Sequence, residues 1–247
     1  LSPAMVLPSS NKKYWWRCSK GNDHEWQTSI WNRVVKKTGW VDTALLVDRY
    51  SLYLDNKKAL IKTAFDSNAL QITENGVMYK KIEAKHIVFT QGVGLINNPW
   101  FSFIPIQKTK GELMVIECED LQEKSIIHGG VFMIPLGNNR YRVGSTYNWK
   151  DKTEGTTTNA TSSLQKKLND IISAPYRMIS QSAGFRPTTP DRRPVIGVHP
   201  EFPQLAICNG MGSRGVLQAP FCAGLLYDHI EKGSTIPHEI NINRFKN

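Results

Sequence analysis

Two stretches near the end of the sequence combine residue types that could hold a negatively charged group. The first, GFRPTTPDRRPVIG at 184–197, places Arg186 directly before a proline, in a segment too rich in proline for a helix or a central strand. The second, GMGSRG at 210–215, lies between a short apolar strand at 205–208 and a helix, so amide N–H groups at the helix start would lack partners. A stiffly supported guanidinium beside a helix N-terminus predicts a site for an anionic or electron-rich group.

Each stretch also allows a different interpretation. Arg186 could be a structural arginine that pairs with Asp191 or Glu201. The second stretch matches the dinucleotide-binding pattern G-x-G-x-x-G letter for letter, but that pattern opens a βαβ unit with an acidic residue about 20 residues further on. Here Pro237 interrupts the region where a second strand would follow, and Arg214 would crowd a phosphate. We therefore interpret the turn as the end of a domain, with its amides directed at another part of a cofactor.

The elements before residue 97 are typical of an α/β nucleotide-binding domain. Asp42 is a candidate N-cap for a helix with apolar residues at helical spacing. A hairpin is predicted around Asn75-Gly76, followed by an apolar strand at 85–90. That strand ends in Gln91-Gly92-Val93-Gly94, a turn at which backbone can approach a ligand closely.

The region after residue 97 is rich in predicted strands. The predicted elements are a strand at 111–118, a hairpin formed by 131–136 and 141–147, a polar connection at 153–161, a helix at 163–173 and a final helix at 218–231. A further strand is predicted at 28–35, within an aromatic-rich first segment. The fold expected from these patterns is a mixture of α/β and α+β structure.

The charge balance suggests an anionic partner but does not require one. The sequence contains 31 Lys and Arg against 21 Asp and Glu, a net charge of +10, which could serve a nucleic-acid or anionic-membrane surface. The basic residues occur as scattered pairs rather than one dense run, and no aromatic-interleaved RNA-binding motif is present. We interpret them as solvated surface charge and predict no nucleic-acid partner. No apolar run is long enough to cross a membrane, and no signal-peptide pattern is found.

The four cysteines indicate neither zinc nor a disulfide framework. Cys18, Cys118, Cys208 and Cys222 are widely separated and lack C-x-x-C spacing. We predict no metal site, a reducing cytoplasmic location, and a core position for Cys208 and Cys222.

Five ordered motifs resemble the FAD-dependent D-amino-acid oxidase/glycine oxidase superfamily between about Trp40 and Ile230. The C-terminal signature consists of the GFRP…D…PVIG stretch and of NGMGSRGV…AP from Asn209 onward. The other motifs are KTKGE at 108–112, the hairpin FMIP…RVGST at 132–146 and VFTQG at 88–92.

The resemblance implies a partial Rossmann-like FAD-binding domain interleaved with a β-rich substrate domain. Residues 39–96 and 184–247 would belong to the FAD-binding domain, and residues 1–38 and 97–183 to the substrate domain. The isoalloxazine ring of FAD would contact two glycine-containing segments. Their members are Gly92, Val93 and Gly94 in the first, and Gly210, Met211, Gly212, Ser213, Arg214, Gly215 and Val216 in the second.

The resemblance also implies how an amine or amino acid would be held. Arg186 matches the family arginine that clamps the substrate carboxylate, so that catalysis would depend mainly on positioning. Arg214 matches a second basic position near the substrate mouth. Phe132 occupies a position that is tyrosine in the glycine oxidases, so one hydroxyl contact to the carboxylate is lost and simple glycine or D-alanine oxidation is in doubt.

The sequence departs from the family pattern at its start, where the N-terminal βαβ unit that binds the ADP half of FAD is absent. We therefore expect a fragment of a flavoenzyme that binds FAD weakly or not at all and is inactive alone. Two other functions remain open: a non-catalytic binding module derived from this fold, and a domain of a flavoenzyme that modifies a tRNA base.

Overall fold

A computed structural model of the chain describes residues 13–17, 25–29 and 41–245. The chain divides into two compact units, 1–58 and 59–247. Among the described residues, no helix combines the length and the apolar character needed to span a bilayer.

In the first unit, the described residues form a hairpin and a helix. Strands β1 (Lys13–Arg17) and β2 (Glu25–Ser29) pair antiparallel, and helix α1 spans Thr43–Asn56. The predicted N-cap is confirmed, because Oδ1 of Asp42 accepts a hydrogen bond of 3.0 Å from the amide of Leu45. The strand predicted at 28–35 lies outside the described residues, apart from its first two residues, which end β2.

A five-stranded antiparallel sheet forms the larger part of the second unit. Its strands are β7 (Gln107–Glu117), β8 (Ile127–His128), β9 (Phe132–Gly137), β10 (Arg140–Gly144) and β11 (Arg177–Thr188), in the spatial order β11-β7-β10-β9-β8. Since β11 is an edge strand of this sheet, Pro187 removes no ladder hydrogen bond from its interior.

Helix α2 (Thr158–Asn169) covers one face of this sheet. Leu164 and Leu168 are fully buried there against apolar side chains of β7 and β10. The prediction placed this helix at 163–173 and a connection at 153–161, and both boundaries were wrong. The helix begins earlier because the Thr157 hydroxyl accepts a hydrogen bond from the amide of Ala160 and caps it.

Two smaller sheets complete the second unit. Strands β3 (Leu70–Thr73), β4 (Gly76–Tyr79) and β5 (Ile82–Ala84) form an antiparallel meander around the predicted Asn75-Gly76 turn. Strands β6 (Ile87–Phe89), β12 (Val195–Val198) and β13 (Leu205–Asn209) form the other sheet, in which β6 and β13 are parallel.

The last helix, α3 (Gly215–Lys232), packs against the sheet of β12, β13 and β6. Cys222 and Leu226 are buried against Ile196 and Ala206 of that sheet, and Cys208 is partly buried beside them. The predicted core position of Cys208 and Cys222 is therefore confirmed. Short 3₁₀ helices occupy Ser67–Ala69, Gly92–Asn97, Gly212–Arg214 and Ile242–Phe245.

Candidate functional site

The guanidinium of Arg186 is held by neutral partners from the end of β10. Arg186 lies in β11 opposite Thr109 of β7. Its Nη2 donates to Oγ of Ser145 at 2.8 Å, and its Nη1 donates to the carbonyl oxygen of Thr146 at 3.3 Å. Partial burial lowers the pKa of Arg186 because desolvation disfavours its charged form. The side chain thus carries a desolvated positive charge with hydrogen-bonding capacity to spare.

Arg186 does not pair with Asp191, so the interpretation of Arg186 as a structural partner of that residue is wrong. Asp191 accepts from Nε of Arg244 at 2.9 Å, an ion pair that ties the 191–193 turn to the C-terminal 3₁₀ helix. No residue that the structure describes forms an ion pair with Arg186, and this includes Glu201. The guanidinium is therefore free to meet an external anion.

The absence of a side chain at Gly111 makes room for Arg186. A Cβ on Gly111 would overlap Nη1, Nη2 and Cζ of that arginine. Gly184, which pairs with Gly111 across the two strands, has open space where its own Cβ would lie. Side chains alternate along a strand, so Lys110 and Glu112 of β7 point to the face that α2 covers and position 111 points to the opposite face. The guanidinium consequently lies across β7 on that opposite face.

The two glycine segments predicted to contact flavin lie next to each other. Nδ2 of Asn209 donates to the carbonyl oxygen of Gly92 at 3.0 Å, and its Oδ1 accepts from the amide of Gly210 at 2.8 Å. Asn209 is 3% exposed, so this bridge is shielded from water. One buried amide side chain therefore joins the turn at 92–94 to the turn at 210–216.

The strand that carries Arg186 ends at both glycine segments. Pro187 lies 4.0 Å from the position of a Cβ on Gly92. Thr188 forms an isolated antiparallel bridge with Met211, and its Oγ1 lies 3.6 Å from the position of a Cβ on Gly212. The structure therefore brings together the three separate stretches that the sequence singled out.

The backbone at these turns suits a planar, electron-rich group. Gly92, Gly210 and Gly212 have φ values of +57°, +74° and +57°, a region that glycine enters without steric cost. Helix α3 begins directly after the 3₁₀ turn, and no side chain caps its N-terminus. Its first amides and its dipole are thus available to stabilise negative charge. Ser213 and Val216 are exposed at this helix start.

Phe132 lies beside Gly144, the residue that precedes the two hydrogen-bonding partners of Arg186. It pairs with Gly144 across β9 and β10, and its Cζ lies 3.4 Å from the position of a Cβ on Gly144. Gly144 directly precedes Ser145, the residue that accepts from Arg186. The predicted Phe132 position therefore presents an apolar ring, rather than a hydroxyl, beside Gly144.

The structure adds an aromatic and cationic group that sequence reasoning missed. The guanidinium carbon of Arg186 lies 5.4 Å from the ring centroid of Tyr147, and that of Arg192 lies 5.6 Å from it. Nη2 of Arg214 donates to the carbonyl oxygen of Arg192 at 3.0 Å. Residues 191–194 (DRRP) have the pattern of a charged surface turn, and only the tertiary contact of Arg192 with Tyr147 could have assigned this turn to the site.

The residues present fit the redox-active end of a flavin. The segments 92–94 and 210–216 supply backbone at close approach, and the start of α3 supplies unpaired amides. Among the described residues, no group of three or more His, Cys, Asp or Glu side chains is arranged to hold a metal ion. Cys18 lies outside the described residues.

Comparison with known proteins identifies similarity over most of the chain. The family model described as FAD dependent oxidoreductase matches residues 31–229, and the model described as Probable Treble clef zinc finger domain matches residues 1–39. Most of the second match lies outside the described residues, which include only 13–17 and 25–29 of it. The expectations of a substrate-domain segment at 1–38 and of no metal site there therefore stay predictions.

Similar proteins include two curated relatives and many solved structures. Glycine oxidase of Bacillus subtilis (strain 168) is 30% identical over 158 residues, which are 60% of this chain and 41% of that protein. The tRNA 5-methylaminomethyl-2-thiouridine biosynthesis bifunctional protein MnmC of Legionella pneumophila (strain Corby) is 23% identical over 82% of this chain and 34% of that protein. L-proline dehydrogenase from P. horikoshii is similar in fold, with a TM-score of 0.62 at 17% identity over 91% of this chain and 60% of that one. The chain thus spans less than half the length of the curated relatives that it matches.

Proposed function

This chain belongs to the FAD dependent oxidoreductase family, and from that premise we propose that it forms the substrate-binding and flavin-contacting part of an enzyme that oxidises an amine or amino acid. The observation that carries the proposal is the position of Arg186. It is a partly buried guanidinium without an ion-pair partner among the described residues, and its strand ends at both glycine turns.

Arg186 would bind the substrate carboxylate through its two terminal nitrogens. A bidentate pair of this kind fixes both the distance and the orientation of the carboxylate, and therefore of the neighbouring Cα–H bond. Ser145 and the Thr146 carbonyl would hold the guanidinium in place, and Phe132 would exclude water from one side. FAD, when bound, supplies the acceptor for the hydride and its two electrons.

The glycine turns would hold the flavin ring and stabilise its negative charge. Gly92, Val93 and Gly94 offer one backbone surface, and residues 210–216 offer the other, with the start of α3 behind it. Negative charge that develops near a helix N-terminus is stabilised by the helix dipole, and the protein does not have to reorganise for this. Asn209 would keep the two surfaces at a constant separation.

We further propose that this chain is part of a larger flavoenzyme and is inactive alone. Its coverage of 41% and 34% of its curated relatives supports this. So does the outer face of α3, where the large apolar side chains of Val216, Leu217 and Phe221 are 53%, 50% and 50% exposed. Val88 of β6 is also 42% exposed. These surfaces suit burial against a further unit that binds the ADP half of FAD. The cytoplasmic location stays a prediction.

A second candidate is a flavoenzyme domain that acts on a tRNA base. It is favoured by the similarity to the Legionella protein over 82% of this chain and by the net charge of +10. The scattered distribution of the basic residues favours the small-molecule substrate instead. Salt-dependent retention of tRNA would distinguish the two.

The test uses the longest product of the gene that contains residues 1–247. Its flavin absorbance is recorded, followed by anaerobic bleaching with a panel of amines and amino acids. Arg186→Ala is expected to raise the substrate concentration for half bleaching about 10- to 100-fold, because a charge-assisted bidentate contact is lost. Arg193→Ala, an equal change in charge on the exposed 191–193 turn, serves as the control. A protein that never carries flavin would favour the non-catalytic binding module, and an unchanged half-bleaching concentration would remove Arg186 from the carboxylate role.

A further inference from the structure

Tyr147 joins two guanidinium groups from different parts of the chain. Its ring lies 5.4 Å from Cζ of Arg186 and 5.6 Å from Cζ of Arg192. Trp149 packs edge-on against Tyr147, with ring centroids 5.5 Å apart, and lies 5.9 Å from Cζ of Arg192. The two arginines therefore share one aromatic support.

The positive charge of Arg192 is not neutralised by its neighbours in the 191–193 turn. The carboxylate of Asp191 binds Arg244, and no residue that the structure describes forms an ion pair with Arg192. The backbone of Arg192 has a φ of +57°, in the left-handed region.

The contacts of Arg192 leave its hydrogen-bonding edge available. Aromatic rings attract a guanidinium through its face, whereas its N–H groups lie in its plane. Two aromatic neighbours therefore reduce its freedom without occupying those donors. Arg186 adds a second positive charge. Arg214 contacts the Arg192 backbone, and its own pKa is lowered by burial and also by the charge of Arg192. A cluster of like charges gains most from a ligand that carries more than one negative charge.

We propose that Arg192, supported by Tyr147 and Trp149, forms a second anion site beside Arg186, and that the substrate is an amine or amino acid with two acidic groups. This inference rests on the proposed function, since it takes Arg186 as the anchor of the first carboxylate. Arg186 anchors the first acidic group, and Arg192 selects for the second one. Arg192 is thus a specificity-determining residue.

The test measures binding by calorimetry, with the longest product of the gene that contains residues 1–247 and without reliance on turnover. The matched probes are N-(2-carboxyethyl)glycine, which has two carboxylates, and N-propylglycine, which has one. The wild-type chain is expected to bind the diacid about tenfold more tightly. Arg192→Gln is expected to abolish that preference and to leave the affinity for N-propylglycine unchanged. Arg186→Gln is expected to weaken both ligands, and Arg193→Gln to weaken neither.

The outcomes separate this inference from the proposed function. If N-propylglycine binds with a dependence on Arg186 but Arg192→Gln keeps the full diacid preference, only the second anion site is overturned. If neither amine binds the wild-type chain, or if Arg186→Gln has no effect, both proposals fail. If Arg192→Gln lowers retention of tRNA but not the affinity for the diacid, the arginine serves a nucleic acid and its assignment as the second anion site of a small-molecule substrate is wrong.

Discussion

The guanidinium of Arg186 occupies the space in which Gly111 would otherwise carry a Cβ. The two residues lie in neighbouring strands, β11 and β7. The register, in which Arg186 pairs with Thr109 and Gly184 with Gly111, sets their relative positions along the strands. A side chain at 111 and the observed position of Arg186 are therefore incompatible. The site depends on this glycine as directly as it depends on the arginine.

Gly111→Ala is expected to weaken carboxylate binding without unfolding the protein. The new methyl group displaces the guanidinium from Ser145 and the Thr146 carbonyl, so a bidentate contact is lost and affinity for N-propylglycine falls about tenfold or more. Calorimetric titration measures the affinity, and urea denaturation measures the free energy of unfolding.

Gly184→Ala is the matched control for this substitution. It makes the same chemical change at the paired position of the adjacent strand, where a Cβ meets no atom within 4 Å. The affinity of this variant for N-propylglycine is expected to equal that of the wild type. Equal affinities for the two variants would show that Arg186 does not bind the ligand from its observed position.

Asn209→Ala is expected to uncouple the two glycine turns. The substitution removes both hydrogen bonds, to Gly92 and from Gly210, and leaves buried backbone groups unpaired, which costs about 1–3 kcal/mol. Hydrogen exchange should become faster at 92–97 and 210–216. Asn98→Ala is the control, because Asn98 is also buried and hydrogen-bonded but does not bridge the turns. Faster exchange at 210–216 in both variants, or in neither, would contradict a specific bridging role for Asn209.

The parts of the site that lie in one continuous motif could be predicted from the sequence. The glycines at 210–215 and the Arg186-Pro187 pair report local backbone requirements, and these do not depend on the rest of the fold. Gly111 was quoted only as part of a motif, because its role depends on the register of β7 against β11. Arg192 and Tyr147 were missed because their contact joins a turn to the end of a different strand. Helix α2 was placed too late because its first turn, TNAT, is polar and carries no hydrophobic period.

Cys208 and Cys222 are expected to resist alkylation in the folded protein. Burial raises the pKa of Cys208 to about 12 and that of Cys222 to about 11. Because the thiolate is the reactive form, both should react about a hundredfold or more slowly than a free cysteine at pH 8. Iodoacetamide labelling followed by mass spectrometry of the separated peptides measures each rate, with protein unfolded in urea as the reference. Labelling of Cys208 at the unfolded rate would contradict its burial beside α3.

A buried lysine is expected to make stability depend on pH in the acid range. Lys110 is 1% exposed, and its Nζ donates to Oδ2 of Asp151 at 2.8 Å and to the Thr153 hydroxyl at 3.1 Å. The hydrogen bond from Lys110, followed by those from Thr153, lowers the pKa of Asp151 from 3.8 to about 2. A carboxyl with a depressed pKa in the folded state adds stability above its unfolded pKa, and that stability is lost as the pH falls through the folded pKa.

The free energy of unfolding should therefore fall between about pH 4 and pH 2 in the wild type by more than it does in Asp151→Asn. At pH 7, Asp151→Asn should itself be destabilised, because it leaves the ammonium group of Lys110 buried with Glu112 at 3.7 Å as its remaining ionic partner. Lys110→Met/Asp151→Asn should recover part of that loss, since the buried ammonium group is then removed and Glu112 keeps its hydrogen bonds from Thr157 and Gln181. Asp228→Asn serves as the control, because its ion pair with Lys232 is exposed and contributes little. Parallel pH profiles for the wild type and Asp151→Asn, measured by urea denaturation, would show that the Lys110–Asp151 contact is not linked to folding.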